Sequence, residues 1–155
     1  MNTPDLFAAN FEKPVDGKGR VSVPPRFRAM LKDQSFDGLY VRRHLNEPAL
    51  ECGGAAWLNE ANGLVAGLDP FSDELEDVRM AMMGDAEMLA FDPEGRVTLP
   101  RELMDFTGIS GKARFVGMQT YFMIWQPERY AARAEMARAR LTARVAARKA
   151  QGGTQ

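Results

Sequence analysis

Two Asp–Arg pairs with the same spacing are the residues of this chain whose types best suit a chemical task. The segments DGKGRVSVP (16–24) and DPEGRVTLP (92–100) lie 76 positions apart and share Asp, Gly, Arg, Val and Pro. An arginine on the polar face of a short strand can bind a phosphate or a guanine edge with both arms of its guanidinium group. Alternatively, each Asp pairs with its own Arg across a turn and stabilises the hairpin. The two interpretations are compatible, because an Asp that orients an Arg also restricts its rotamers.

Each pair belongs to a segment that we call a signature turn, which consists of Asp16, Gly19 and Arg20 in the first copy and Asp92, Gly95 and Arg96 in the second. Asp at the first position of a turn accepts hydrogen bonds from nearby backbone amides, and Gly at the fourth tolerates a positive φ. A short alternating strand is predicted after each turn, over 20–23 and 96–99. Its Val and Leu side chains should face a core, and its Arg, Ser and Thr side chains should face water.

Catalysis and metal binding are not indicated elsewhere in the sequence. His44 lies beside no nucleophile motif, and Cys52, the only cysteine, cannot complete a zinc site with this one histidine. The acidic residues between 69 and 77 lack the alternating ligands and the central Gly of a calcium loop. The first signature turn does not fit the strand–helix context of a phosphate-binding loop. The sequence therefore predicts a protein that is not an enzyme and that has no metal and no cofactor.

The same elements follow each signature turn, so the chain is a duplicated module and not a solenoid. Pro24 and Pro100 suit the start of a short helix, and Gly108 suits the end of the second helix. Further strands are predicted over 39–42, 50–52, 112–117 and 121–125. A unit of roughly 45 residues rarely holds a stable core alone, so we expect the two copies to interlock into one pseudo-symmetric β-barrel.

Two helical segments lie outside the repeats. The acidic connection is predicted to contain a helix over 55–61 and a second helix that begins at Ser72 and stops at Gly84. An Arg/Ala-rich helix is predicted from Pro127 to about Lys149. Because few of its side chains are large and apolar, this helix either packs closely on a neighbour or stays exposed.

Composition and charge describe a globular chain with segregated charges. The 155 residues are 45% apolar and 26% charged, and we expect no secretory signal, no membrane span and a cytoplasmic location. The net charge of −1 divides into −2 over 1–12, +5 over 13–43, −11 over 44–95 and +7 over 96–155. This pattern is typical of a polyanion-binding face beside a separate acidic surface, although solvated charged faces give the same pattern.

The extended repeats resemble the paired signatures of the bacterial MraZ family, which consists of tandem SpoVT-AbrB-type DNA-binding modules. The matching segments are DGKGRVSVPPRFRAML (16–31), MMGDA (82–86), FDPEGRVTLPRELMDFTGI (91–109), VG (116–117) and FMIW (122–125). The resemblance covers about residues 7–140. It implies an α+β, mainly β fold in which two swapped-hairpin modules complete one barrel within the chain.

The expected domain organisation has four parts. They are a first SpoVT-AbrB-type module over 7–54, an acidic helical connection over 55–84, a second module over 85–127 and a C-terminal helix over 128–149.

The resemblance also implies a sequence-specific regulator that binds direct repeats of double-stranded promoter DNA. Such a protein would form ring-like homo-oligomers, associate with the nucleoid and repress its own division and cell-wall operon. The basic residues that we expect to face DNA are Lys18, Arg20, Arg26, Arg28, Arg96 and Arg101. The second turn carries Pro93 and Glu94 near its tip, where the first carries Lys18, which puts equal participation of the two copies in doubt.

A different class of function is the alternative. The barrel would then be a protein-interaction scaffold, and the basic helix over 129–149 would dock an acidic protein partner.

Overall fold

The computed structural model describes residues 6–60 and 65–152, and within them the chain is an α+β protein made mainly of β-strands. The strands are β1 (Asn10–Pro14), β2 (Arg20–Ser22), β3 (Gly38–Arg43), β4 (Leu50–Gly53), β5 (Glu87–Ala90), β6 (Arg96–Thr98), β7 (Lys112–Gly117) and β8 (Phe122–Trp125). The helices are α1 (Pro25–Met30), α2 (Ala55–Asn59), α3 (Asp73–Arg79), α4 (Arg101–Thr107) and α5 (Pro127–Gly152).

Antiparallel pairing joins the strands into two sheets. Both sheets combine strands from the two halves of the chain, which are β1–β4 and β5–β8. The larger sheet has the order β1-β7-β8-β4-β3-β5, and the smaller sheet consists of β2 and β6. The first strand of each half pairs with the third strand of the other half, since β1 pairs with β7 and β5 pairs with β3. When the strands of the two halves are exchanged, the strand order is the same read from the opposite edge of the sheet. The larger sheet has two edge strands, β1 and β5, which a sheet closed into a barrel would not have. A closed barrel therefore stays a prediction, and so does the swapped-hairpin topology.

The smaller sheet has one apolar face and one polar face, as its alternating sequence predicts. Val21 pairs directly with Val97, and both side chains are buried. Arg20 lies opposite Thr98, and Ser22 lies opposite Arg96, on the other face. The predicted alternation is thus confirmed, and it places both signature arginines on the same side of the sheet.

Aromatic side chains connect α1 to the sheets in the main core. The Phe27 ring of α1 lies 5.2 Å from the ring of Phe7 and 4.9 Å from that of Phe122, measured between centroids. Phe27, Phe115 and Phe122 are almost completely buried. Burial of such large rings contributes strongly to stability, so this cluster anchors α1 to the sheets.

The short helices α1 and α4 begin where the sequence predicts, and α4 also ends there. Pro24 and Pro100 are the N-cap residues of α1 and α4, and Gly108 ends α4 with a φ of +75°. The predicted helix over 55–61 is observed as Ala55–Asn59, and residue 61 lies outside the described residues. Left-handed backbone costs little at a glycine, which explains why α4 stops at this position.

The acidic helix differs from the prediction at its end. Ser72 is its N-cap, and the Ser72 Oγ accepts a hydrogen bond from the backbone N–H of Leu75 at 3.2 Å. The α-helix ends at Arg79, however, and Met80–Gly84 forms a π-helical turn in place of a continuous α-helix. Such a turn inserts extra backbone and rotates the following side chains relative to the helix face.

The C-terminal helix extends beyond its predicted end. α5 has 26 residues, Pro127–Gly152, and continues past the predicted limit at Lys149. No helix in the described part of the chain combines the length and the apolar character that a membrane span requires.

Candidate functional site

One carboxylate organises the first signature turn. The Asp16 Oδ1 accepts hydrogen bonds from the backbone N–H groups of Lys18 and Arg20, each at 2.9 Å. The Asp16 Oδ2 accepts a bond from the Arg20 Nε at 2.6 Å. The Gly19 N–H donates to the Asp16 carbonyl oxygen at 3.0 Å, and Gly19 has a φ of +84°. The aspartate therefore closes the turn and orients the arginine at the same time.

The second signature turn repeats this geometry. The Asp92 Oδ1 accepts bonds from the N–H groups of Glu94 and Arg96 at 2.9 Å, and the Asp92 Oδ2 accepts one from the Arg96 Nε at 2.8 Å. The Gly95 N–H donates to the Asp92 carbonyl oxygen at 2.9 Å, and the φ of Gly95 is +78°. The predicted turn geometry and the predicted Asp–Arg pairing are thus observed in both copies.

The β2–β6 pairing brings the two turns together. The Leu99 N–H donates to the Gly19 carbonyl oxygen at 2.9 Å, and the Val23 N–H donates to the Gly95 carbonyl oxygen at 3.2 Å. Each turn thus lies beside the end of the other copy's strand. Arg20 and Arg96 are diagonal neighbours on the polar face, a relation that spans about 7 to 8 Å in a sheet. The two Asp–Arg pairs therefore share one polar face of the small sheet.

The two arginines differ in how many of their nitrogens are already bonded. The Arg96 Nη2 donates to the Glu94 Oε2 at 2.6 Å, in addition to the Nε bond with Asp92. Among the described residues, no hydrogen bond reaches the Nη1 or Nη2 of Arg20, and Lys18 at the turn tip is exposed. The first turn therefore presents both terminal nitrogens of its arginine to a ligand, whereas an internal acid already occupies the Nη2 of the second arginine.

The pairing keeps both aspartates ionised. The backbone N–H of Arg20, followed by its guanidinium group, holds the pKa of Asp16 below its ordinary value. The same two groups of Arg96 lower the pKa of Asp92, and Asp92 in turn raises the pKa of Arg96. Bonds to the charged form stabilise that form, so the orientation of each arginine persists at mildly acidic pH.

The other basic residues expected at the site lie around the two turns. Lys18 and Arg101 line a groove between the first turn and α4, where the Arg101 Nε is 3.9 Å from an Asp105 carboxylate oxygen. Arg28 covers the second turn, because a Cβ built on Gly95 would lie only 1.9 Å from the Arg28 Nη1.

Arg26 stands apart from these contacts. It is exposed in the first turn of α1, and no ion pair of Arg26 occurs among the described residues. The structure thus places Arg20 and Arg96 together, arranges Lys18, Arg28 and Arg101 beside the turns, and leaves Arg26 as a separate exposed charge.

Two bases of the positive segment 13–43 form ion pairs with acids from other elements of the fold. Arg42 is buried, donates from Nε to Glu51 at 2.9 Å and lies over the Trp57 ring at 4.6 Å. The Arg43 Nη2 lies 2.7 Å from the Asp85 Oδ1. Sequence reasoning did not find these pairs, and the Arg43–Asp85 pair joins residues 42 positions apart, so no local spacing could signal it.

The fold and the site define a class, namely duplicated, mainly β proteins in which two Asp–Arg turns share one polar face. A family model described as “MraZ protein, putative antitoxin-like” matches residues 82–151. The proteins named transcriptional regulator MraZ from Methylocella silvestris and Azorhizobium caulinodans are 43% and 40% identical over 137 and 136 residues. These alignments cover 88% of this chain in both cases and 84% and 85% of the two relatives. The chain belongs to the MraZ family of transcriptional regulators, which confirms the resemblance.

Proposed function

We propose that this chain is a non-enzymatic, sequence-specific DNA-binding regulator that represses its own division and cell-wall operon as a ring-like homo-oligomer. The observation that carries the proposal is the polar face of β2–β6, where Asp16 holds Arg20 and no other described residue bonds to the terminal nitrogens of that arginine. A preoriented guanidinium group suits bidentate contact with guanine or phosphate. Lys18, Arg26, Arg28, Arg96 and Arg101 would supply further phosphate contacts around it.

Related features support the remaining parts of this proposal. The reciprocal β1–β7 and β5–β3 pairings fit a swapped-hairpin pair of modules over 7–54 and 85–127 that forms a barrel. Each subunit of a homo-oligomer presents one such face, so several faces can meet direct repeats in promoter DNA. A location in the cytoplasm at the nucleoid follows from this function.

The test is a fluorescence-anisotropy titration with labelled DNA from upstream of the chain's own gene, against a shuffled duplex. We expect preference for the upstream DNA and an affinity that falls steeply with salt, because bound phosphates release counterions. Equal affinity for both duplexes would overturn the proposal.

Arginine variants test which turn contacts DNA. Arg20→Ala should weaken specific binding by about tenfold or more, and Arg20→Lys should keep non-specific affinity but lose sequence preference, because lysine lacks the fork. Arg96→Ala should cost less, since Glu94 already engages that arginine. If Arg20→Ala lowers the unfolding midpoint and leaves DNA affinity unchanged, the pair has only a structural role.

A protein-interaction scaffold is the second candidate, and one observation favours it. Residues 135–152 of α5 are exposed along their whole length. If removal of residues 127–155 abolishes capture of a protein partner while DNA preference is absent from the intact chain, the scaffold function replaces the proposed one.

A further inference from the structure

The second half of α5 is exposed to solvent, although its residues 136, 137 and 140 still line a groove with Val116 and Trp125 of the body. Its first turns are attached to the body, since Tyr130 packs on Trp125 and Arg133 pairs with Glu47. From residue 135 to residue 152, every residue is exposed. At 1.5 Å per residue, this part extends about 27 Å.

An apolar stripe follows this free part of the helix. Ala137, Leu141 and Val145 recur at four-residue spacing and so share one face. Leu141 is 58% exposed and Val145 is 45% exposed. Large apolar side chains on a projecting helix gain free energy when another protein surface covers them.

A basic stripe runs beside the apolar one. Arg140, Arg144 and Arg148 are also spaced by four residues. None of the three forms an ion pair with any described residue of the chain. The helix thus presents an apolar strip with a row of unpaired arginines along its edge.

The exposed face of α3 has the complementary character. Asp73, Asp77 and Met80 follow at spacings of four and three residues, and Leu75 on the opposite face is buried. Met80 is 63% exposed, and Phe71, just before the helix, is 95% exposed. Neither of these two aspartates forms an ion pair within the described ranges. This surface therefore combines apolar side chains with unpaired acids.

We propose that residues 135–152 of one copy dock on the 69–80 surface of a second copy, with the arginine stripe against Asp73 and Asp77 and with Leu141 and Val145 against Phe71 and Met80. The inference rests on the homo-oligomer of the proposed function and assigns its contact surfaces. Two α5 helices would place arginine against arginine, and DNA would leave Leu141 and Val145 uncovered. An acidic and partly apolar protein surface satisfies both stripes.

Because the two surfaces are different patches of the same chain, the contact is head-to-tail. Each added copy still offers one free α5 and one free α3 face. Such an interface continues until the chain of subunits closes into a ring or extends as a filament.

The test is a charge swap measured by analytical ultracentrifugation of the full chain. Arg140→Glu/Arg144→Glu and Asp73→Arg/Asp77→Arg should each raise the dissociation constant of the assembly by about tenfold or more, since attraction becomes repulsion. The four substitutions combined in one chain should restore the assembly. Ala139→Glu/Ala146→Glu is the matched control, because these residues lie on the side of α5 opposite the two stripes and should leave the mass unchanged.

The outcomes separate this inference from the proposed function. Normal mass in both charge-reversed variants, or failure of the combined variant to reassemble, overturns the docking surface even if promoter DNA is still bound. Normal mass with weaker DNA binding per chain in Arg140→Glu/Arg144→Glu would show that α5 contacts DNA and also overturn it. Reassembly of the combined variant supports the docking surface even if no DNA preference is found.

Discussion

At each signature turn, a single carboxylate satisfies two backbone amides and one guanidinium nitrogen. The three bonds require an Asp four residues before the Arg, because a short side chain at that position lies within reach of the backbone amides of its own turn. The glycine before each arginine supplies the left-handed φ that closes the turn. Gly19 has a second constraint, since a Cβ there would lie 2.6 Å from the Leu99 carbonyl oxygen.

This geometry predicts unequal effects of alanine at the two glycines of the first turn. Gly19→Ala should lower the free energy of unfolding by about 1 to 3 kcal/mol, because it strains a positive φ and clashes with backbone of the other half. Gly17→Ala is the matched control, since a Cβ at Gly17 meets nothing within 4 Å, and it should change stability by less than about 0.5 kcal/mol. Urea unfolding measures both. Equal losses at the two positions would contradict the role of the left-handed backbone.

At the scale of elements, α3 and α5 differ in what holds them. Leu75 is buried and attaches α3 to the body, while the Ser72 cap satisfies the start of the helix. The ring contact and the ion pair that attach α5 to the body come from its first turns, and the helical structure of its exposed second half relies on the high helix propensity of alanine and arginine. The stability of α3 thus depends on its N-cap and one buried side chain, whereas the stability of the exposed half of α5 depends on its amino-acid composition.

The cap of α3 can be tested without touching its core contact. Ser72→Ala should accelerate hydrogen exchange of the α3 amides by about five- to tenfold, because loss of an N-cap costs about 1 kcal/mol of helix stability. Ser72→Asp keeps the acceptor and should retain slow exchange. If Ser72→Ala and Ser72→Asp exchange at the same rate, the bond from Leu75 does not stabilise the helix.

At the scale of the whole molecule, the halves depend on each other for most of their strand pairing. Among the strands of the described residues, only β3–β4 and β7–β8 pair within a half. The pairs β1–β7, β5–β3, β2–β6 and β4–β8 all join the two halves. The two signature arginines share one face for this reason, so the candidate site exists only when both halves are assembled.

This interdependence predicts that neither half folds as a monomer. Residues 1–84 and 85–155 produced as separate chains should each lack a cooperative thermal transition, and mixing them should restore one, because the pairs that cross the halves then form. Circular dichroism and sedimentation measure these outcomes. A monomeric fragment with a sharp transition of its own would contradict the interlocked fold.

Local features of this protein could be predicted from its sequence because their partners lie within a few residues. This group contains the Asp16–Arg20 and Asp92–Arg96 pairs, the glycine turns, the alternating strands, the starts of α1 and α4 and the end of α4. The contacts are set by backbone geometry over one turn, so spacing alone determines them. The duplication in the sequence also predicts that the two turns have the same local geometry.

Other features were decided by the tertiary structure, because their partners are distant in the chain. The burial of Arg42, the Arg43–Asp85 pair and the cover of Gly95 by Arg28 arise from contacts between elements. The π-helical turn after α3 and the free half of α5 likewise depend on which surfaces the fold leaves uncovered. The sequence alone thus determined which residues form the turns, whereas only the pairing of β2 with β6 decided that their arginines meet, since that pairing joins strands from opposite halves.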